Sequence, residues 1–378
     1  MTSYAGLLRG RVITPQEDLP DAVVEVDGGR ITAVREPAAD DTSATGDVIL
    51  PGLTDLHCHG GGGASFTTGD PDQVRTSAEH HASHGTTTLL GSTVTDSPDR
   101  LLAVVTCLAD AADSGLLAGI HLEGPFLSDA RCGAQDPAHL RSPDLALATE
   151  LIAAGRGHVR VMTVAPELPG STGLADLLMA SGVTVAVGHT DADAATVERF
   201  LHNHAPALVT HLFNAMSPLH HRRPGAVLGA MAAAAAGDAM LELIADGVHL
   251  ADETVAGVFA LLGDRVVLVT DAMAAAGMPD GDYVLGPRAV GVRGGVARLA
   301  GGDSIAGGTS RLLDVVRRQV DAGLDPVRVV AAASSRPAAV LGIDDIGIEV
   351  GHRADLVVAD AQWQPTLVLR GGEAVSRP

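Results

Sequence analysis

Between residues 48 and 271 the chain repeats one pattern: a short apolar run, a helical stretch, then another apolar run. That alternation constrains the fold more than any other feature. Strands separated by helices pair in parallel, with the helices packed on the sheet. About eight strand candidates can be read, ending near His59, Thr93, Glu123, Ala165, His189, Asn214, Gly247 and Asp271. Helical stretches fall at 72–84, 98–112, 191–202 and 252–262, with a further one at 311–322. Eight such units are what a (β/α)8 TIM-like barrel requires. A doubly wound open sheet is the alternative.

The two ends of the chain read differently. Residues 4–50 carry short β-branched runs separated by turns, and Asp27-Gly28-Gly29 is a hairpin signal. A matching segment, Ala354–Asp360 followed by Pro365–Arg370, closes the chain. The expected organisation is a small β-sandwich domain made from both termini (1–50 and 344–378) around a barrel at 51–343. Aromatic residues are 2% of the chain, so its core must be built from Ala, Val, Leu and Ile.

Polar residues interrupt the apolar runs at their C-terminal ends, where barrel enzymes place their chemistry. Thr54-Asp55-Leu56-His57-Cys58-His59 follows the apolar Val48-Ile49-Leu50. In a continuing strand, Asp55, His57 and His59 would share one face, with Cys58 on the other. Two imidazoles there could share a metal ion. Glu123, His189, His211 and Asp271 fall at or near the ends of later runs. A charged group after four or more apolar residues is costly unless paired or metal-bound. His80, His81 and His84 lie on a helical stretch toward the opposite face and read as ordinary helix residues; His202 and His204 precede the sixth strand and read the same way. His121 reads as a core histidine.

The formal net charge is −21. Nucleic acid and anionic membranes would be repelled overall, and neither is expected as a partner. All 25 basic residues are arginine, which excludes a Schiff-base lysine, a Walker-type phosphate loop and a carboxylated lysine bridging two metals. The densest basic cluster is His220-His221-Arg222-Arg223, and arginine forks match phosphate oxygens. Three cysteines, Cys58, Cys107 and Cys132, have no disulfide-scaffold spacing, which fits a reducing compartment. The first residues lack a charged then apolar leader, and no apolar run reaches membrane-spanning length. A cytoplasmic protein is expected.

The motifs resemble those of the amidohydrolase superfamily and, within it, the N-acetylglucosamine-6-phosphate deacetylases. The matching stretches are His-Leu-Glu-Gly-Pro-Phe at 121–126, Gly-His-Thr at 188–190, Thr-His-Leu-Phe-Asn-Ala-Met at 210–216, Ala-Asp-Gly-Val-His at 245–249 and Val-Thr-Asp-Ala at 269–272. Gly351–Val357 resembles the superfamily's closing β segment. The resemblance implies that Glu123, His189 and His211 hold one divalent metal. It implies a second at His57 and His59, with Glu123 and Asp271 nearby. Zinc is the expected ion and iron the alternative, one or two per chain. Asp271 would act as general base and then general acid while the metal activates water and polarises an amide carbonyl.

The same resemblance assigns substrate contacts to Ala134, Gln135, Asn214, Ala215, Arg222, His249, Ile305, Ala306 and Gly307. Arg222 and His249 would meet the phosphate, His249 from the neighbouring subunit of a homodimer. Gln135 departs from the family, which has a histidine at this place, twelve residues after the glutamate. Glutamine donates a hydrogen bond but carries no charge. Cys132, in the segment leading to Gln135, is expected on a lid over the site. The implied reaction is deacetylation of N-acetylglucosamine 6-phosphate. Another amidohydrolase, such as a cyclic amidase or a deaminase, is the alternative enzyme, and a non-catalytic assembly protein on the same fold is the alternative outside enzymes. The cyclic amidases commonly need the bridging lysine that this chain lacks.

Overall fold

A computed structural model describes residues 4–41 and 47–376. Residues 1–3, 42–46 and 377–378, parts of the expected terminal β segments, lie outside the described residues. The chain divides into two compact units. One is Met1–Asp55, Glu79–Leu89 and Arg311–Pro378; the other is Leu56–Ala78 and Leu90–Ser310.

In the first unit, both ends of the chain build one seven-stranded sheet. Its order is Glu373–Ala374, Pro365–Arg370, Leu356–Ala359, Val48–Pro51, Gly6–Ile13, Asp18–Asp27 and Arg30–Arg35. The last two strands form the expected hairpin. Gly28 and Gly29 take φ of 55° and 78°, the left-handed conformation a tight hairpin turn needs. Val24 and Val26 alternate with half-exposed Glu25, and they pack with Val12, Ile49, Leu356 and Leu369 in an aliphatic core.

Eight parallel strands form the barrel sheet. They are β1 (Leu53–Asp55), β2 (Thr86–Ser92), β3 (Gly119–Glu123), β4 (Val159–Val164), β5 (Thr184–Val187), β6 (Ala207–Val209), β7 (Ala239–Leu243) and β8 (Val266–Leu268). Each is hydrogen-bonded to the next in chain order. Just beyond the strand ends, Cys58 and Ala272 form a parallel bridge that brings the first and last segments together. There His59 N–H donates to the Ala272 carbonyl (2.7 Å) and Asp271 N–H to the His57 carbonyl (2.9 Å). The fold is a nearly closed (β/α)8 barrel with a β domain from both termini, not an open doubly wound sheet.

Several strands stop earlier than their apolar runs suggest: β1 at Asp55, β5 at Val187, β6 at Val209 and β8 at Leu268. The backbone explains three of these. His189, His211 and Asp271 take φ of 48°, 29° and 47°. A left-handed residue breaks the pleat, so the pairing ends before it. The site histidines and Asp271 thus stand on the rim rather than in the strands. The helix after β5 begins at Ala194 rather than 191, because the Asp193 carboxylate accepts the Thr196 N–H and caps it. A three-stranded antiparallel sheet, Gly281–Leu285, Arg288–Arg293 and Val296–Leu299, follows β8. Val290, Val292 and Ala297 in it pack with Met273, Ala275 and Ala306. Among the described residues no helix is long and apolar enough to cross a membrane.

Helices Ala194–Asn203 and Ala226–Ala236 pack together at Gly229, where a Cβ would collide with the Ala194 carbonyl oxygen. Gly229→Ala should therefore cost about 1–3 kcal/mol, despite alanine's better helix propensity. Equilibrium denaturation checks this, and an unchanged or raised stability would contradict the close packing.

Candidate metal centre

Six side chains from five barrel strands converge on one rim. His57 and His59 come from the segment after β1, Glu123 from the end of β3, His189 after β5, His211 after β6 and Asp271 after β8. Glu123 lies between two histidine pairs. Its Oε1 is 3.0 Å from both His189 Nε2 and His211 Nε2, and its Oε2 is 3.2 Å from His59 Nε2. Asp271 Oδ1 stands 3.1 Å from His59 Nε2 and 3.4 Å from His57 Nε2. His57 and His59 face each other through their Nε2 atoms at 3.1 Å, as do His189 and His211.

Those two contacts test whether the residues suit a metal. Each brings two ring nitrogens together, and a hydrogen bond there needs one of each pair protonated and the other not. Both pairs also point at the same carboxylate. His57, His59 and Glu123 form one group whose donor atoms lie within 4.8 Å of one another; Glu123, His189 and His211 form a second. Imidazole and carboxylate donors in this number suit zinc or iron. The donor set fits one or two divalent cations, with Glu123 common to both groups.

Without a cation the cluster holds itself together by charge. Burial opposes a positive charge on His57, but Asp271 and Glu123 outweigh it and raise the His57 pKa well above the ordinary value. Burial opposes ionisation of Glu123, yet His57 and His189 push its pKa well down. Asp271 follows the same logic: burial is outweighed by His57 and His59, and its pKa falls. At neutral pH both carboxylates are therefore anions, as metal ligands must be.

Neighbouring groups set which nitrogen faces the centre. The Arg131 carbonyl accepts from His189 Nδ1 (2.9 Å), leaving His189 Nε2 for the centre. His57 Nδ1 is 3.2 Å from Glu242 Oε2. His121 lies edge-on to His57 with ring centroids 4.5 Å apart, held between Ser92 Oγ (3.0 Å) and Thr163 Oγ1 (2.8 Å). Burial, reinforced by His57, lowers its pKa well below the ordinary value, so it stays neutral. It is a buried neighbour of the cluster, as the sequence suggests.

A cavity of about 360 Å³ opens over the cluster. Ala134, Gln135, Asn214, Ala215, His249, Ile305 and Gly307 line it, together with His59, Glu123, His189, His211 and Asp271. Ala306 does not line it; its side chain packs inward with Met273 and Val292. Arg222 is exposed on the loop after β6 and does not line it either. Cys132 is half-buried at the end of a short turn, and its neighbour Gly133 lines the cavity. His249 lines the cavity of its own chain. Asp246 Oδ2 holds its Nδ1 at 2.9 Å, while Asp246 Oδ1 accepts the backbone N–H groups of Val248 and His249.

Gln135 is locked in place. Its Nε2 donates to Glu123 Oε2 (2.6 Å), and its Oε1 accepts the Thr95 N–H (2.7 Å). Sequence reading missed Glu242, Asp246 and Arg298, which among the described residues is the one arginine lining the cavity. Glu242 had a signal: it is a lone acid inside Met240-Leu241-Glu242-Leu243-Ile244, the context that singled out Glu123. Asp246 lay within a motif already quoted. Arg298 had no signal, because the sheet that carries it was not foreseen.

The amidohydrolase family model matches residues 48–375. The chain is 33% identical to the N-acetylgalactosamine-6-phosphate deacetylase of Escherichia coli O157:H7, covering 93% of this chain and 94% of that one. It is also 33% identical to the N-acetylglucosamine-6-phosphate deacetylase of Bacillus subtilis, covering 96% and 94%. Among solved structures, that of a mutant N-acetyl-D-glucosamine-6-phosphate deacetylase from Mycobacterium smegmatis, in complex with N-acetyl-D-glucosamine-6-phosphate, superposes with a TM-score of 0.93. It is 38% identical, over 99% of this chain and 100% of that one. The chain belongs to the amidohydrolase family. Within it, the relatives just named are the amino-sugar-phosphate deacetylases that the motifs resemble.

Replacing Gln135 by leucine would strand the buried Thr95 N–H and leave Glu123 Oε2 with His59 alone. The metal-free protein should lose about 1–3 kcal/mol in denaturation, since unsatisfied buried groups cost that much. A loss below 0.5 kcal/mol, roughly the floor for one hydrogen bond, would mean Gln135 is not anchored this way.

Proposed function

We propose that the protein hydrolyses N-acetylglucosamine 6-phosphate to glucosamine 6-phosphate and acetate, a step of amino-sugar breakdown. The observation that carries this is the convergence of four histidines and two carboxylates under a cavity lined by Gln135, Asn214 and His249. The named relatives support the substrate class. One or two divalent cations would be held by His57, His59, Glu123, His189, His211 and Asp271, zinc before iron. A bound cation supplies Lewis acidity for the amide carbonyl and lowers the pKa of water.

The chain's own part follows from exposure. Glu123 is closed in by His189, His211 and Gln135, and its side chain is 3% exposed. Asp271 is 13% exposed and borders the cavity. Of the two, Asp271 can exchange protons with a substrate. It takes a proton from the attacking water as the new C–O bond forms. It then returns that proton to the amine nitrogen as the C–N bond breaks, releasing acetate. Gly308 keeps the Asp271 backbone in place: its N–H donates to the Asp271 carbonyl (2.7 Å), and a Cβ on it would collide with the Thr270 carbonyl oxygen.

Phosphate recognition is assigned to Asn214, Ala215, His249 and Arg222; Ala134, Gln135 and the segment Ile305-Ala306-Gly307 are assigned to the acetyl end. A homodimer, implied by the family, would cover the exposed Leu219 and Leu228 that flank Arg222 in sequence. Cys132 is assigned to a lid; unchanged rate and affinity in Cys132→Ser would remove the thiol from that role. Three free thiols support a cytoplasmic location.

Acetate release by zinc-loaded protein tests the reading. It should be fast from N-acetylglucosamine 6-phosphate and slow from the unphosphorylated sugar. Equal rates would discard the phosphate site. Faster release from the galacto isomer would move the assignment to the E. coli relative's named substrate. Asp271→Asn should lower kcat by about 10²–10⁴-fold.

A pH dependence follows from His249. Burial opposes its charge, but the hydrogen bond to Asp246 outweighs burial and raises its pKa. A raised pKa keeps the imidazolium to higher pH than usual. The KM for the phosphorylated sugar should therefore rise as pH increases through that raised value. Asp246→Asn removes the partner, so the rise should begin at lower pH. Steady-state KM across pH 6–9 (a range of about three units around the ordinary imidazole value) checks both.

A further inference from the structure

We propose that Glu242 is a positioning residue that sets the tautomer of His57 and thereby decides whether the His57–His59 metal site fills. This rests on the metal-dependent reading above and deepens it. Glu242 is the fourth residue of β7, where Leu241 and Leu243 on either side are also fully buried. Alternation along the strand turns Glu242 away from both leucines, toward the cluster. Its Oε2 reaches His57 Nδ1 at 3.2 Å and the His211 backbone N–H at 3.2 Å. Its Oε1 is buried and has no hydrogen-bond partner.

Glu242 Oε2 already accepts the His211 backbone N–H, so it meets His57 as an acceptor, and the proton between the two belongs to His57 Nδ1. That makes Nε2, the atom facing His59, Glu123 and Asp271, the nitrogen that yields its proton to a cation. A histidine can serve a metal only through an unprotonated nitrogen, and the partner of its other nitrogen chooses which one that is. The metal groups treat their histidines unequally here. His189 gives its Nδ1 proton to a backbone carbonyl, whereas His59 Nδ1 and His211 Nδ1 are buried without a partner. Among the cluster histidines, His57 is the one whose second nitrogen meets a carboxylate.

Charge points the same way. Two divalent cations would bring four positive charges against the two negative charges of Glu123 and Asp271. Glu242 adds a third carboxyl group on the His57 side, without touching the cation. Losing it should weaken the His57–His59 site more than the Glu123–His189–His211 site.

The test compares wild type, Glu242→Gln, Glu242→Leu and His59→Asn. Each is stripped of metal and titrated with zinc, with bound zinc measured by mass spectrometry and affinities by chelator competition. Wild type should hold two zinc ions per chain, and His59→Asn one. Glu242→Leu should match His59→Asn, with second-site affinity down about 10–100-fold and the first site within about threefold of wild type. Glu242→Gln can still accept from Nδ1 through its amide oxygen, so its loss should be smaller. Circular dichroism and thermal unfolding of the metal-free variants verify that each folds.

Two zinc ions at wild-type affinity in folded Glu242→Leu would overturn the inference. Parallel weakening of both sites would also overturn it, reducing Glu242 to a general structural role. A wild type that holds one zinc would overturn it together with the two-ion site. Acetate release on the same samples separates these results from a failure of the deacetylase reading, because a one-zinc protein that still releases acetate leaves that reading intact.

Discussion

A single buried carboxylate organises the active rim. Glu123 stands between two histidine pairs, with one oxygen toward His189 and His211 and the other toward His59 and Gln135. A carboxylate this buried survives only if almost every lone pair has a partner. That requirement ties together the ends of β1, β3, β5 and β6, which lie far apart in the chain. It also explains why the cluster is anionic and cationic in alternation: Glu123 and Asp271 stay ionised because the histidines around them outweigh the cost of burial.

Backbone strain is collected at the same place. His189, His211, Ala215 and Asp271 all sit in left-handed conformations that cost non-glycine residues roughly 1–3 kcal/mol each. Such strain persists where surrounding contacts over-determine it. Here the Asp271 N–H and carbonyl bond to His57 and Gly308, and the His211 N–H bonds to Glu242. The turn at each residue lifts its side chain off the strand axis and over the barrel mouth.

Polar layers beneath the rim support it. Thr163 Oγ1 links His121 and Thr210 Oγ1, at 2.8 Å and 2.7 Å. His121 in turn packs edge-on against His57. The barrel interior below the cluster is therefore hydrogen-bonded, not purely aliphatic, and rotation of any one ring would leave several buried groups unsatisfied.

The sequence by itself determined the class of fold and the identity of the cluster. Eight apolar runs alternating with helical stretches leave few architectures, and charged residues at the ends of those runs are too costly to be incidental. Glu123, His189, His211 and Asp271 could be picked out on that ground. The terminal hairpin was equally legible, since Gly28-Gly29 has one obvious use. What the tertiary structure decided were directions and partners. Whether His249 faces its own cavity depends on Asp246, three residues away and indistinguishable in sequence from a surface acid. Whether Ala306 lines the site or fills the core depends on a three-stranded sheet that follows the last of the eight apolar runs. Glu242 meets His57 across a gap of 185 residues. Periodicity and composition report which residues must be buried; they carry no record of which buried group meets which, because that is set by the closure of the barrel.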